Sequence, residues 1–254
     1  MIEFLLLGGL PLSVWAMERL RRRQIKQAHA SFLATLDDDL QVVLHVANHE
    51  ARQRNHSLLP LHLAYGLLQD ESFQQVIAKV GGNAERLEEA VTSALDRAQD
   101  ATNREALEAL GFISAVADHL RRKATVSDLF ARLVRDQQVV KALEAGGIVV
   151  HELLFAVVHR TKPPALMLPA PSPGAVHVVL RNDDVTTVEF VMSVLREVFG
   201  LDPVRAQTVT METHHQGRAV VGRFPPEVAA SHVESVRERA KHAGFPLWVG
   251  VEPC

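Results

Sequence analysis

Two structural units of different class are encoded in this sequence: an all-α duplicated helical bundle, then an α+β sandwich of three strands and three helices. Three observations carry that expectation. From about residue 31 to 160 the apolar side chains recur only at helical spacing. Residues 161–174 then hold Pro163, Pro164, Pro169, Pro171 and Pro173, which forbid regular structure and favour an extended linker. From residue 175 onward, runs of period two interleave with amphipathic helical stretches.

The bulk composition fits that division. At 254 residues the chain has room for two modest cores. With 47% hydrophobic and 22% charged residues it is a globular composition, not a disordered one. A formal net charge of -3 gives no nucleic-acid footprint, since a duplex binder carries a strong basic excess. The single cysteine, Cys254, excludes an internal disulfide framework and fits a reducing compartment.

Residues 1–30 form a separate apolar and basic segment. The apolar run Phe4 to Met17 is preceded by Glu3 and followed by Arg19 and Arg21-Arg22-Arg23, the reverse of a secretory signal's charge order. It is shorter than the roughly 20 apolar residues of a spanning helix. If it inserts, the arginines hold the body on the cytoplasmic side and Trp15 suits the interface. A membrane anchor or interfacial helix, a helix docked on the body, and a misassigned start all stay open for residues 4–17. The expected location is cytoplasmic, with tethering to the membrane's cytoplasmic face as the variant.

In the helical unit, Leu40, Val43, Leu44 and Ala47 share one face, with Asp37-Asp38-Asp39 at the favourable N-terminal end of the dipole. A second helix starts at Pro60, and a third begins near Phe73 and stops at Gly81-Gly82. The unit then recurs: Thr125 to Asp136 parallels Leu59 to Asp70, and Gly146-Gly147 repeats the Gly-Gly stop. A period of about 65 residues is too long for common solenoids, so a duplicated bundle fits best. His45, His49, His56 and His62 lack a third ligand at clear spacing and read as helix-surface histidines. Arg121-Arg122-Lys123 reads as a solvated helix end.

The C-terminal unit reads as strand Val176–Arg181, helix Thr187–Phe199, helix Pro203–His215, strand Arg218–Phe224, helix Pro226–Ala243 and strand Leu247–Val251. Pro203 and Pro226 suit first-turn positions, with Asp202 a cap for the former and Gly244 a stop. Thr186 stands three residues before Glu189, the capping-box spacing. Between the first strand and this helix lies the polar loop Asn182-Asp183-Asp184, placed where side chains face a ligand.

Arg181 to Val191, the later Thr213-His214-His215-Gln216-Gly217-Arg218, and the ending Gly244-Phe245-Pro246-Leu247 occur in one order and spacing. Over about Val176 to Pro253 this combination resembles ClpS, the adaptor that hands proteins with certain N-terminal residues to a Clp unfoldase. The helical unit, over about Leu36 to Val158, is similar to the N-terminal domain of the ClpA/ClpC unfoldases, the first copy more closely than the second.

The resemblance implies a site. Asn182 and His214 correspond to direct ligands of a substrate's α-amine, and Asp183 adds negative potential or a bridging water. Such a His214 must present an unprotonated nitrogen, so binding weakens in acid. Asp184 and Thr186 correspond to loop scaffolding and capping. Val188, Val191, Thr210, Thr213 and Leu247 correspond to the hydrophobic hole for the first side chain. Val188 replaces a bulky Met at the lip, Thr187 a common Pro, and Thr210 and Thr213 usual apolar residues, which puts the Phe, Leu, Trp, Tyr preference in doubt. Glu227 matches an unfoldase-docking contact, and His232 stands where Lys is common. The implied partners are a ClpA- or ClpC-type unfoldase with ClpP, and substrates bearing N-degrons.

Competing chemistries are weaker. Adjacent His214 and His215 point about 100° apart on a helix and seldom share an ion. No nucleophile elbow, metal set or phosphate-cradling loop accompanies Asp183, Asp184 and His214, so no catalytic residue, metal or cofactor is expected. The expected role is a non-enzymatic proteolysis adaptor. The alternative is a regulator whose domains pair in cis to mask the substrate site or sequester Clp components. Nothing in the sequence shows the two domains touching.

Overall fold

A computed structural model describes residues 30–98, 103–161 and 174–254. The apolar run at residues 4–17 and most of the proline-rich stretch lie outside the described residues.

The helical unit runs α1 (Asp38–Gln53), α2 (Pro60–Leu68), α3 (Glu71–Lys79), α4 (Ala84–Arg97), α5 (Arg104–Leu120), α6 (Val126–Leu133), α7 (Gln137–Ala145) and α8 (Val150–His159). Helix α1 starts where its acidic run predicts: the Asp37 carboxylate accepts the Leu40 N–H at 2.8 Å. Its buried stripe of Leu40, Val43, Leu44, Ala47 and Ala51 includes every residue of the expected face. Gly66 lets α2 cross α1 closely, because a Cβ there would lie 2.5 Å from the Val43 carbonyl oxygen.

The duplication is visible as a constant offset of 66 residues. Asp70 caps α3 and Asp136 caps α7. Gly81 (φ 84°) and Gly147 (φ 86°) both take the left-handed conformation that glycine adopts without strain. Across the copies α3 packs on α8 and α4 on α7, the reciprocal pairing of a pseudo-twofold. Phe73 of one copy meets Phe130 of the other edge-on, ring centroids 5.0 Å apart.

The same offset pairs His56 and His62 with Arg122 and Asp128. Asp128 accepts the Thr125 N–H (2.8 Å) and both terminal nitrogens of Arg122 (2.7 and 2.9 Å). Arg122 is therefore no simple solvated helix end. In the first copy His62 is fully buried, and its Nδ1 accepts the Leu59 N–H at 3.0 Å, so Nε2 carries a proton that meets no partner. The helix-surface reading of His62 is thereby corrected: at the third position of a helix it does a capping acceptor's work.

The C-terminal unit is β1 (Val176–Arg181), α9 (Val188–Glu197), α10 (Pro203–Gln216), β2 (Arg218–Phe224), α11 (Pro226–Ala243) and β3 (Trp248–Pro253). The sheet order is β2-β1-β3, antiparallel throughout. Val176, Val178 and Leu180 of β1 pack with Val194 and Leu195 of α9, Val209 of α10 and Val233 and Val236 of α11 in one core. Helix α9 is capped by Thr187, whose hydroxyl accepts the Phe190 N–H at 3.3 Å, one residue later than the Thr186 spacing suggested. Thr186 is instead held by Asp183.

The opposite face of the sheet is also covered. Val179 and Trp248 are buried there against Phe155 of α8. The two units touch in cis, which the sequence did not disclose.

Candidate functional site

Strand β1 delivers Asn182 to the end of α10. The Asn182 N–H donates to the Gly217 carbonyl at 2.9 Å, and Gly217 closes the helix whose last turn carries His214 and His215. Asn182 and His214 are thus set at one helix C-terminus, where the unpaired carbonyls of the dipole favour a cation. His214 is exposed and Asn182 half-buried.

The loop is stapled from within. Asp183 accepts the Val185 N–H (2.9 Å), the Thr186 N–H (2.6 Å) and the Thr186 hydroxyl (2.9 Å). These bonds fit a side chain that contributes negative charge rather than a direct ligand. Asp184, expected as local scaffolding, instead faces the helical unit and accepts from Arg122 at 3.1 Å. Arg122 is pushed well above its ordinary pKa, chiefly by its bonds to Asp128 and then, against the opposing effect of burial, by Asp184.

Of the expected hole, Val191 and Leu247 share the C-terminal core, Leu247 standing just ahead of β3. The α9 start meets the same stretch through Phe190 and Phe245, ring centroids 4.8 Å apart. Thr210 and Thr213 are buried, and their hydroxyls donate to the Ala206 and Val209 carbonyls, each at 2.8 Å. With the hydroxyls bonded inside their own helix, these two residues are less polar towards their surroundings than their types suggest. Val188 is 53% exposed and lines a groove of about 610 Å³ with Met192, Leu201 and Pro203, a groove that Val191, Thr210, Thr213 and Leu247 do not line.

Glu227 is exposed in the first turn of α11. His232 lies half-buried against Phe199 and Phe224, at centroid distances of 5.1 and 5.2 Å. None of the cis contacts among the described residues runs through Glu227 or His232.

The family model for "ATP-dependent Clp protease adaptor protein ClpS" matches residues 171–250, and that for "Clp repeat (R) N-terminal domain" matches residues 35–116. The Clp protease adapter protein ClpS of Paracidovorax citrulli is 41% identical over 108 residues, spanning 42% of this chain and 79% of the relative. This chain belongs to the ClpS family. The ClpS of Leptothrix cholodnii is 42% identical over 80 residues, 32% of this chain and 70% of the relative. A solved structure of Agrobacterium tumefaciens ClpS2 bound to L-phenylalaninamide is 36% identical and covers 33% of this chain and 100% of that one, with a TM-score of 0.32. The family thus accounts for the C-terminal unit as a Clp adaptor domain, and a Clp repeat domain precedes it in the same chain.

Sequence reading missed Arg122, Phe155 and Trp248 as parts of the architecture around the site. A signal for the last two existed. Val178-Val179-Leu180 is apolar on both faces, and a strand with two apolar faces needs both covered. Among the described residues no group of three His, Cys, Asp or Glu is placed to hold a metal, and no single helix is long and apolar enough to cross a membrane.

Proposed function

We propose that the C-terminal domain grips the free N-terminus of a protein substrate and that the chain delivers it to a ClpA- or ClpC-type unfoldase working with ClpP. The observation that carries this reading is the bond from Asn182 to Gly217. It joins the Asn182 loop to the C-terminal end of α10, beside His214 and the carboxylate of Asp183. An α-ammonium has three donors and a positive charge, and this end of the site offers acceptors, negative charge and the favourable pole of a helix. The first side chain then enters between Val191, Leu247, Thr210 and Thr213, with Val188 at the lip. The role is that of an adaptor without chemistry of its own: ATP and peptide-bond hydrolysis belong to the partners.

The exposed Glu227 leaves the helix-covered side of the domain available for docking in trans while the sheet face is occupied in cis. A self-masking regulator would need the helical unit over the amine site, but His214 and Val188 stay at the surface with the units in contact. The proposed domain limits are residues 31–160 and 175–254, joined by 161–174. A degradation assay tests delivery: reporters differing only in first residue are incubated with the unfoldase, ClpP and ATP. Faster loss of one first-residue class on adding the full chain is expected. Equal rates for every first residue, with and without the chain, contradict delivery.

A further inference from the structure

Among the described residues the helical unit touches the adaptor domain at three places, and two of them are stretches assigned above to the proposed pocket, taken here as its two lips. The first lip is the Asn182-Asp183-Asp184 loop. Arg122, already locked to buried Asp128, reaches Asp184 at 3.1 Å, and Val185 packs on the helical core. The second lip is the stretch leading into Leu247. His151 Nε2–H donates to the Phe245 carbonyl at 3.1 Å and His159 Nε2–H to the Pro246 carbonyl at 2.6 Å. The Arg135 guanidinium stands 5.1 Å from the Phe245 ring centroid. The third contact is under the sheet, where Phe155 packs against Val179 and Trp248.

We propose that the helical domain is an in-chain platform that sets the geometry of the amine pocket, with Phe155 as the plug that holds it in place. This rests on the reading of that pocket as an N-terminus site. A loop held only by its own bonds samples many arrangements, and each restraint that favours the binding arrangement raises affinity without touching the ligand. Arg122, His151 and His159 are positioning residues in this sense.

The internal duplication supplies a control for the assignment. By the 66-residue offset, Phe155 corresponds to Glu89, which is exposed on α4, Arg135 to Gln69, and His151 to Glu85. The first copy therefore builds the same bundle without the features that meet the sheet. Those features are specific to the copy that faces the adaptor domain, and a glutamate at this helix position is compatible with the bundle.

The test uses the full chain and its Phe155→Glu and Phe155→Leu variants. Hydrogen exchange of the peptides covering residues 245–251 reads docking, and anisotropy of labelled peptides with a free first amine reads recognition. Phe155→Glu is expected to speed exchange at 245–251 and weaken binding by about tenfold or more, while Phe155→Leu stays within about threefold of the parent chain. Faster exchange with unchanged affinity overturns the proposal, as does unchanged exchange in Phe155→Glu. Should Phe155→Glu lose its helical circular dichroism, the double variant Arg135→Ala with His159→Ala carries the same two readouts, both side chains lying outside the helical core. If the parent chain itself ignores the free amine, the functional reading fails first and the platform role with it. Loss only in the undocked variants separates the two.

Discussion

Burial holds two histidines of the helical domain, His62 and His151, below the ordinary histidine pKa, and acid should weaken the domain through His62, the more deeply buried of the two. Its ring is fully buried, with Nδ1 accepting the Leu59 N–H and the Nε2–H unpartnered. Burial above all, and then the neighbouring His56 ring 5.6 Å away, lower its pKa from the ordinary 6.5 to about 4, with Glu50 opposing and Arg54 assisting. A depressed histidine favours the folded state only while neutral. Its contribution is therefore complete above pH 6.5, declines as pH falls through that value, and levels off below about 4. At about 1.4 kcal/mol per pH unit the full loss is roughly 3 kcal/mol, most of it gone by about pH 4.5. Asp128 does not blur the result, since a carboxylate held below its ordinary 3.8 acts only under that value. His62→Gln keeps an acceptor at the third helical position and cannot titrate. Urea denaturation of parent and variant, followed by circular dichroism at about pH 7.5 and 4.5, should show the parent losing roughly 2–3 kcal/mol more than the variant. Parallel losses in the two proteins would refute the reasoning.

Other perturbations separate structure from recognition. Asp128→Ala removes the Thr125 cap and leaves Arg122 without its main partner; because Arg122 is one-third exposed and can rehydrate, calorimetry should show a loss of about 2–3 kcal/mol, below the range for a fully buried pair. Asp183→Ala takes away three loop bonds near the surface, so stability should fall by no more than about 1 kcal/mol while free-amine peptide affinity, read by anisotropy, drops by about tenfold. Thr213→Val should leave that affinity within about threefold, because the hydroxyl it deletes is bonded inside α10 and not to the pocket.

How far the sequence discloses this molecule depends on the range of the interaction that decides each feature. Strands Val176–Arg181 and Arg218–Phe224 and helix Pro226–Ala243 were legible to the residue, because alternation, first-turn prolines and stop glycines act within a few positions. The capping threonine was misplaced by one, since Thr186 and Thr187 both offer a hydroxyl and only the loop closed by Asp183 decides between them. His62 was read as a surface residue because its helix is apolar all round, which erases the periodicity that marks a buried face. That Asn182 meets the helix end carrying His214 rests on its bond to Gly217, thirty-five positions away, which no local pattern encodes. The role of Asp184 depends on Arg122, sixty-two positions away and on another core, and no local pattern encodes that pairing.

The claim on which everything functional rests is that the full chain binds a free α-amine through His214. Anisotropy of short peptides differing in first residue, each with a free and an acetylated amine, on the full chain and on its His214→Ala variant, tests it most directly. Binding is expected for at least one first residue, lost on acetylation and weakened by about tenfold or more in His214→Ala. Binding that is indifferent to acetylation, or equal in the variant, would contradict it.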